Sequence, residues 1–178
     1  GYTCGIKIDS TLWCWGYDAL GQLGVGDSDD RLTPTLISSG WTTVATSSQQ
    51  TCAVRTDTTL WCWGYNLQGQ LGLGDHTNRD APALLSGGWD YATGGYGHTC
   101  ALKIDGTLWC WGLNVFGELG VGDISDRDVP TLVGSGWSGI TAGAQHTCGL
   151  KPDTTLWCWG KADKGALGLG DPTEPDAP

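Results

Sequence analysis

The 178-residue sequence predicts an all-β fold of propeller blades made from short antiparallel strands, and three observations carry that prediction. First, the string TLWCWG at 11–16 returns unchanged at 59–64, 107–112 and 155–160, a step of 48 residues. Second, 30 glycines and seven prolines punctuate short apolar runs, and no long stretch has helical periodicity. Third, the recurring strand is apolar on both sides: Trp109 and Trp111 share one face, while Leu108, Cys110 and Gly112 share the other. A strand dry on both faces belongs between two packed layers, and neighbouring blades provide them.

A fixed period of this length indicates stacked units that share one continuous core. Residues 1–178 therefore read as a single repeat domain with four repeats present: a partial repeat over 1–40, repeats over 41–88 and 89–136, and a partial repeat over 137–178. Part-blades at both ends leave open edges. Such edges recruit partners, and a head-to-tail contact that does not close yields a filament.

The third unit shows the pattern most plainly and parses as three short strands with turns. Asp105 and Gly106 separate the apolar runs 100–104 and 107–111, a hairpin signal. A two-residue turn would set Cys100 opposite Trp111. A three-residue loop of Ile104, Asp105 and Gly106, closing in a left-handed glycine bulge, would instead set Cys100 opposite Cys110 and permit a cross-strand disulfide. Ser10, Thr58 and Thr154 stand at the glycine position in the other units, where β-branched residues resist positive φ. Both registers stay open.

All eight cysteines, Cys4, Cys14, Cys52, Cys62, Cys100, Cys110, Cys148 and Cys158, lie in this repeating frame with none left over. Their C-x9-C spacing differs from the C-x2-C of zinc and redox sites, so they read as disulfides formed in an oxidising compartment. The tryptophans Trp13, Trp15, Trp61, Trp63, Trp109, Trp111, Trp157 and Trp159 are expected to fill the wedge between blades, each burying on the order of 200 Å². The turns GQLGVGD, GQLGLGD, GELGVGD and GALGLGD follow; their G-x-x-G-x-G spacing is not that of a dinucleotide loop, and no helix follows to receive a phosphate. Leu23, Leu71, Leu119 and Leu167 should plug the core from these turns, and Asp27–Arg31, Asp75–Arg79 and Asp123–Arg127 read as structural ion pairs.

A net charge of −10 disfavours phosphate backbones and anionic lipid, so nucleic acid is not the expected partner. No apolar run approaches the roughly 20 residues that span a bilayer. The N-terminus shows no basic-then-apolar leader, and the absence of methionine suggests a mature or excised segment. His98 and His146 precede Thr-Cys, but Tyr2 and Gln50 hold that position in the other units, so neither a metal ring nor a repeated base is indicated. His76 reads as a solvated loop residue. No nucleophile, acid–base pair, metal or cofactor site stands out, and the expectation is a protein that is not an enzyme.

The string HTCALKIDGTLWCWGLNVFGELGVGD resembles the repeat of the regulator of chromosome condensation family. It shares His-Thr at 98–99, Asp-Gly at 105–106, Trp-Gly at 111–112 and Gly-x-Leu-Gly-x-Gly at 117–122, and the likeness runs along essentially the whole chain. The resemblance implies a β-propeller with about four strands per blade, commonly with seven blades. Members include a nuclear exchange factor for a small GTPase, plant ultraviolet receptors, ubiquitin-ligase modules and secreted bacterial proteins. The cysteine frame looks like the secreted bacterial branch. The plant receptors' Gly-Trp-Arg-His-Thr motif is absent, its places reading SQQT, GYGHT and AQHT.

The sequence thus predicts a non-enzymatic extracellular repeat protein acting as a structural or binding scaffold. Its expected partners are proteins, glycans or further copies of itself joined head to tail. The alternatives are an extracellular filament subunit and an exchange-factor-like regulator. A recognition surface is expected where the repeats differ, which nominates Tyr17, Tyr65, Tyr91, Tyr96 and Phe116 as aromatic anchors.

Overall fold

A computed structural model describes residues 1–170 and 175–178 and arranges them as four antiparallel sheets, the blades of a β-propeller. Blade 1 holds β1 (Tyr2–Ile6), β2 (Thr11–Gly16) and β3 (Arg31–Ser39). Blade 2 holds β4 (Trp41–Thr46), β5 (Gln50–Arg55), β6 (Leu60–Gly64) and β7 (Arg79–Ser86). Blade 3 holds β8 (Trp89–Gly94), β9 (His98–Lys103), β10 (Leu108–Gly112) and β11 (Arg127–Gly134). Blade 4 holds β12 (Gly139–Ala142), β13 (His146–Leu150) and β14 (Leu156–Gly160). Strands follow one another in each sheet as a meander, and the first strands of neighbouring blades touch, β4 against β8 and β8 against β12.

A complete blade therefore has four strands, one more than the run of apolar residues indicates. The outer strands β3, β7 and β11 escape that pattern because they carry Pro34, Pro82 and Pro130 and show much of their length to water. Proline is tolerated on such edge strands because its missing N–H faces away from the ladder. The pairing of β10 with β11 accordingly slips between Cys110 and Gly112.

The hairpins adopt the three-residue register. Cys4, Cys52, Cys100 and Cys148 lie opposite Cys14, Cys62, Cys110 and Cys158, and each pair forms a disulfide. In the third hairpin Gly106 N donates to the Lys103 carbonyl at 2.9 Å and takes φ 77°, a type I turn ending in a left-handed residue. Ser10, Thr58 and Thr154 adopt the same conformation at φ 63°, 67° and 71°. The aspartate before each turn's end compensates: Asp57 Oδ1, for example, accepts from both N–H and Oγ1 of Thr59.

The core lies between blades, in three successive clusters. The middle one joins Cys52, Val54, Leu60, Cys62 and Leu71 of blade 2 to Trp89, Ala92, Ala101 and Trp111 of blade 3. Equivalent sets join blades 1 to 2 and 3 to 4. Alternation along the third strand explains the arrangement, because its leucine and cysteine point to the following blade while its tryptophans point to the preceding one. The disulfides of blades 1, 2 and 3 are thereby packed against indole rings of the next blade.

The tryptophans do not share this environment equally, which corrects the expectation that all eight TLWCWG tryptophans are core. Trp63, Trp111 and Trp159 are fully buried, and Trp41 and Trp89 at the start of their first strands and Trp137 just before β12 are buried too, pairing with them at ring-centroid distances of 6.0, 6.1 and 5.7 Å. Trp15, the counterpart in blade 1, is only half-buried, because no described sheet precedes it. Trp13, Trp61 and Trp109 are half-buried and Trp157 is exposed. These four sit at the hairpin end of the blade, where a cation covers them. Arg55 lies 4.6 Å from Trp41 and 4.8 Å from Trp61; Lys103 and Lys151 bridge the corresponding rings of blades 3 and 4, and Lys7 covers Trp13 at 4.0 Å.

One departure from the repeat has a testable cost. Trp41 and Trp89 donate their indole N–H to Ser38 and Ser86, but Gly134 holds that position for Trp137, whose Nε1 is buried without a partner. A Cβ on Gly134 would sit 3.7 Å from that nitrogen, an ordinary contact. Gly134→Ser should therefore restore the bond and stabilise the chain by about 1 kcal/mol, read as a raised denaturant midpoint with unchanged slope; an unchanged or lowered midpoint would contradict this account of the interface.

Candidate functional site

A meander of four strands places its turns on two faces. One face carries the disulfide hairpins; the other carries the turns between first and second strands together with the long loops after the third strand. The sequence ties the latter two together: the N–H groups of Tyr17, Tyr65, Leu113 and Lys161 donate to the carbonyls of Gly1, Gln49, Gly97 and Gln145. This loop face gathers the residues at which the repeats differ.

The glycine loops build its floor. In the loops of blades 1, 2 and 3, one carbonyl receives two donors from the following blade. Gln22 O accepts Thr51 Oγ1 at 2.7 Å and Trp63 Nε1 at 3.0 Å; Gln70 O accepts Thr99 and Trp111 at 2.8 and 2.9 Å; Glu118 O accepts Thr147 and Trp159 at 2.8 and 3.1 Å. The glycines make this approach possible. A Cβ on Gly72, whose φ is 73°, would strike Trp111 Nε1 at 2.7 Å. Leu23, Leu71, Leu119 and Leu167 are buried beneath, and the ion pairs Asp27–Arg31, Asp75–Arg79 and Asp123–Arg127 close the loops at the surface.

The position before Thr-Cys also links blades. Tyr2 donates its hydroxyl to the Gln50 carbonyl at 2.6 Å, Gln50 Nε2 donates to the His98 carbonyl at 3.2 Å, and His98 Nε2 meets Thr147 Oγ1 at 3.0 Å. His146 follows in the series and is half-buried. These side chains vary in chemistry but share a direction. His76 sits at an exposed loop position against the Leu67 carbonyl. Among the described residues, no three His, Cys, Asp or Glu side chains converge as a metal site.

The five aromatic candidates separate into two kinds. Tyr17 and Tyr96 are exposed on the loop face, at 46% and 50%. Tyr65 and Phe116 are half-buried, and Lys161 lies 4.5 Å over the Phe116 ring. Tyr91 belongs to the packing, since its hydroxyl accepts the Ile140 N–H at 2.7 Å across blades 3 and 4. Sequence reasoning missed Leu67 and Val115, which are exposed on the same face at 59% and 50%. Their equivalence at a step of 48, with Ala19 and Asp163 in the other units, is the signal that could have found them. Elsewhere, Trp13 and Trp15 line an apolar groove of about 240 Å³ with Ile6 and Pro34 on the leading side of blade 1.

Asp18 is the other residue the sequence did not expose. Asn66 and Asn114 organise their loops by accepting the N–H of Leu71 and Leu119 and donating Nδ2 to the carbonyls of Asp75 and Asp123 at 2.8 Å. Asp18 accepts the Leu23 N–H in the same way, but it has no amide to donate, and its Oδ2 is buried without a partner. Burial pushes its carboxyl up to about 6, Asp27 and Asp30 add to the effect, and the Leu23 N–H and Arg31 oppose it. A pKa raised above the unfolded value of about 4 makes the folded chain bind the proton more tightly. The associated stability is therefore full below about pH 4 and is lost as pH rises through about 6. Asp18→Asn should remove that loss and stabilise the chain at pH 7 by on the order of 1–3 kcal/mol. The gap between variant and parent, measured by denaturation, should close on acidification to pH 4; a gap independent of pH would contradict the assignment.

The sequence family described as Regulator of chromosome condensation (RCC1) repeat matches residues 9–54, 57–102 and 105–150, and a second family of that description matches 137–166. Each of the first three matches runs from the third strand of one blade to the second strand of the next, so each encloses one interblade interface. No curated protein sequence matches the chain. Among solved structures, human WBSCR16 is similar at 25% identity and TM-score 0.90, over 99% of this chain and 50% of that one. Yeast RCC1 (Prp20), described bound to Kap60, is similar at 21% identity and TM-score 0.88, over 99% and 46%. A further structure of Prp20p from Saccharomyces cerevisiae, described with its binding properties to Gsp1p and histones, is similar at 20% identity and TM-score 0.88, over 99% and 47%. The chain spans about half the length of these structures.

Proposed function

From the premise that this chain belongs to the regulator of chromosome condensation (RCC1) repeat family, we propose that it is a non-enzymatic extracellular scaffold that binds a protein partner through its loop face. The observation that carries the proposal is the exposure of the side chains of Tyr17, Leu67, Tyr96 and Val115 on one face. Aromatic and branched apolar side chains of this kind anchor protein interfaces. The similar yeast structures are described with protein partners, which supports a binding role without naming this chain's partner.

The four intrachain disulfides fit a non-cytosolic, oxidising environment. No helix of the described residues is long and apolar enough to cross a membrane. An exchange-factor-like role also fits the fold, but a reducing compartment would not maintain those bonds, so the extracellular reading takes precedence.

A photoreactive amino acid placed at Tyr17 or Tyr96, and as a control at Ile104 on the hairpin face, separates the two faces. Irradiation in the protein's native extracellular milieu should yield one discrete adduct from the loop-face positions and none from Ile104. Adducts of equal yield from both faces, or from Ile104 alone, would remove the loop face as the binding surface.

A further inference from the structure

At each interblade junction a tryptophan from the start of one blade lies against the end of the preceding blade's outer strand. Two of these indoles are satisfied by a serine there: Trp41 Nε1 donates to Ser38 Oγ at 2.9 Å, and Trp89 Nε1 donates to Ser86 Oγ at 3.0 Å. Between blades 1 and 2 the same oxygen also serves a cation, Arg55 Nη2 donating to Ser38 Oγ at 3.5 Å. One acceptor thus meets both the indole N–H and the cation that covers the indole.

Between blades 3 and 4 both donors are kept and the acceptor is gone. Gly134 stands 48 residues after Ser86, and Trp137 Nε1 has no partner. Lys151 takes the place of Arg55, its Nζ 5.0 Å from the Trp137 ring and 4.5 Å from the Trp157 ring. Among the described residues Lys151 forms no ion pair. The aspartate that follows it, Asp153, spends Oδ1 on the N–H and hydroxyl of Thr155.

Both donors are reached from one pocket. Gly134, Trp137 and Lys151 together line an open space of about 370 Å³, whose other walls include Val121, Leu132 and Val133. A Cβ on Gly134 would lie 3.7 Å from Trp137 Nε1 and, its chain neighbours apart, within 4 Å of no other heavy atom. The path that a serine hydroxyl takes to the indole is therefore clear, and Ser86, which takes it at the preceding junction, is exposed to water. An unpartnered indole N–H beside an unpaired ammonium calls for an anionic acceptor, and a carboxylate has an oxygen for each. The net charge of −10 opposes an anion at a distance, but salt screens that field beyond about 8 Å, and Lys151 is the charge at the pocket. Valine and leucine walls suit an apolar stem.

We propose that the pocket between blades 3 and 4 binds a carboxylate on a short apolar stem, one oxygen taking the place of the missing serine hydroxyl at Trp137 Nε1 and the charge resting against Lys151. The occupant is a free small acid. The site is built from the interblade junction at the hairpin end, so it does not depend on the scaffold reading of the loop face.

Indole ¹H–¹⁵N spectra of the full chain test the proposal. The probes are isobutyrate, its neutral analogue isobutyramide, and a blocked tripeptide, acetyl-Gly-Glu-Gly-amide, that offers the same group from a peptide. Isobutyrate should move the Trp137 Nε1–H resonance in a saturable way, and isobutyramide should bind about tenfold more weakly, as loss of a charge-assisted hydrogen bond requires. Gly134→Ser fills the acceptor's place from within and should abolish the response in a chain that is more stable than the parent, so lost binding cannot be mistaken for lost folding. Lys151→Gln keeps the indole and the glycine and should weaken isobutyrate about tenfold. No movement with isobutyrate, equal affinity for isobutyramide, or an unaltered response in either variant would overturn the site. A response to the peptide without one to isobutyrate would overturn the free acid as occupant. Cross-linking from Tyr17 or Tyr96 reads the scaffold proposal separately.

Discussion

A single backbone carbonyl in the glycine loop at each of the three interblade junctions, held by a threonine hydroxyl and an indole N–H from the next sheet, is the constraint around which this protein is organised. Gln22, Gln70 and Glu118 each supply it. To bring that carbonyl to the indole, the loop must run through glycines whose Cβ would collide with the ring. To hold the indole in place, the strand bearing it must be dry on both sides, with a disulfide on its other face packing against the following blade's tryptophans. The TLWCWG string is thus one half of an interface whose other half lies in the preceding unit. Because the family's own repeat spans two blades, the unit that recurs is the interface rather than the sheet.

The sequence made this fold legible through its doubled period. The step of 48 gave the array, alternation in WCW separated the two faces, and the cysteine spacing allowed the hairpin register that the structure adopts. Less was legible where side chains act through distant partners. Alternation cannot distinguish Trp109 from Trp111, since both lie on one face of β10; only their distance from the hairpin end leaves one under Lys103 and the other in the core. The outer strands were illegible because prolines and exposed residues break the period of two. Tyr91 looked free in a variable loop, yet it bonds across an interface whose partner, Ile140, lies 49 residues away.

Function enters through departures from the repeat. Positions committed to packing cannot vary without an energetic penalty, as the unpartnered Trp137 Nε1 beside Gly134 and the unpartnered Asp18 Oδ2 illustrate. Exposed side chains on the loop face carry no such obligation. Tyr17, Leu67, Tyr96 and Val115 are of this kind. Rigid, disulfide-closed blades hold these groups at fixed separations, which limits the ordering cost of binding.

Hydrogen exchange at the indole nitrogens tests the central interaction most directly. If interblade carbonyls hold Trp63, Trp111 and Trp159, those three N–H groups should exchange only when blades separate, orders of magnitude more slowly than Trp13, Trp61, Trp109 and Trp157, which donate to threonines within their own hairpins. Equal exchange of Trp111 and Trp109 within the same strand would contradict the account.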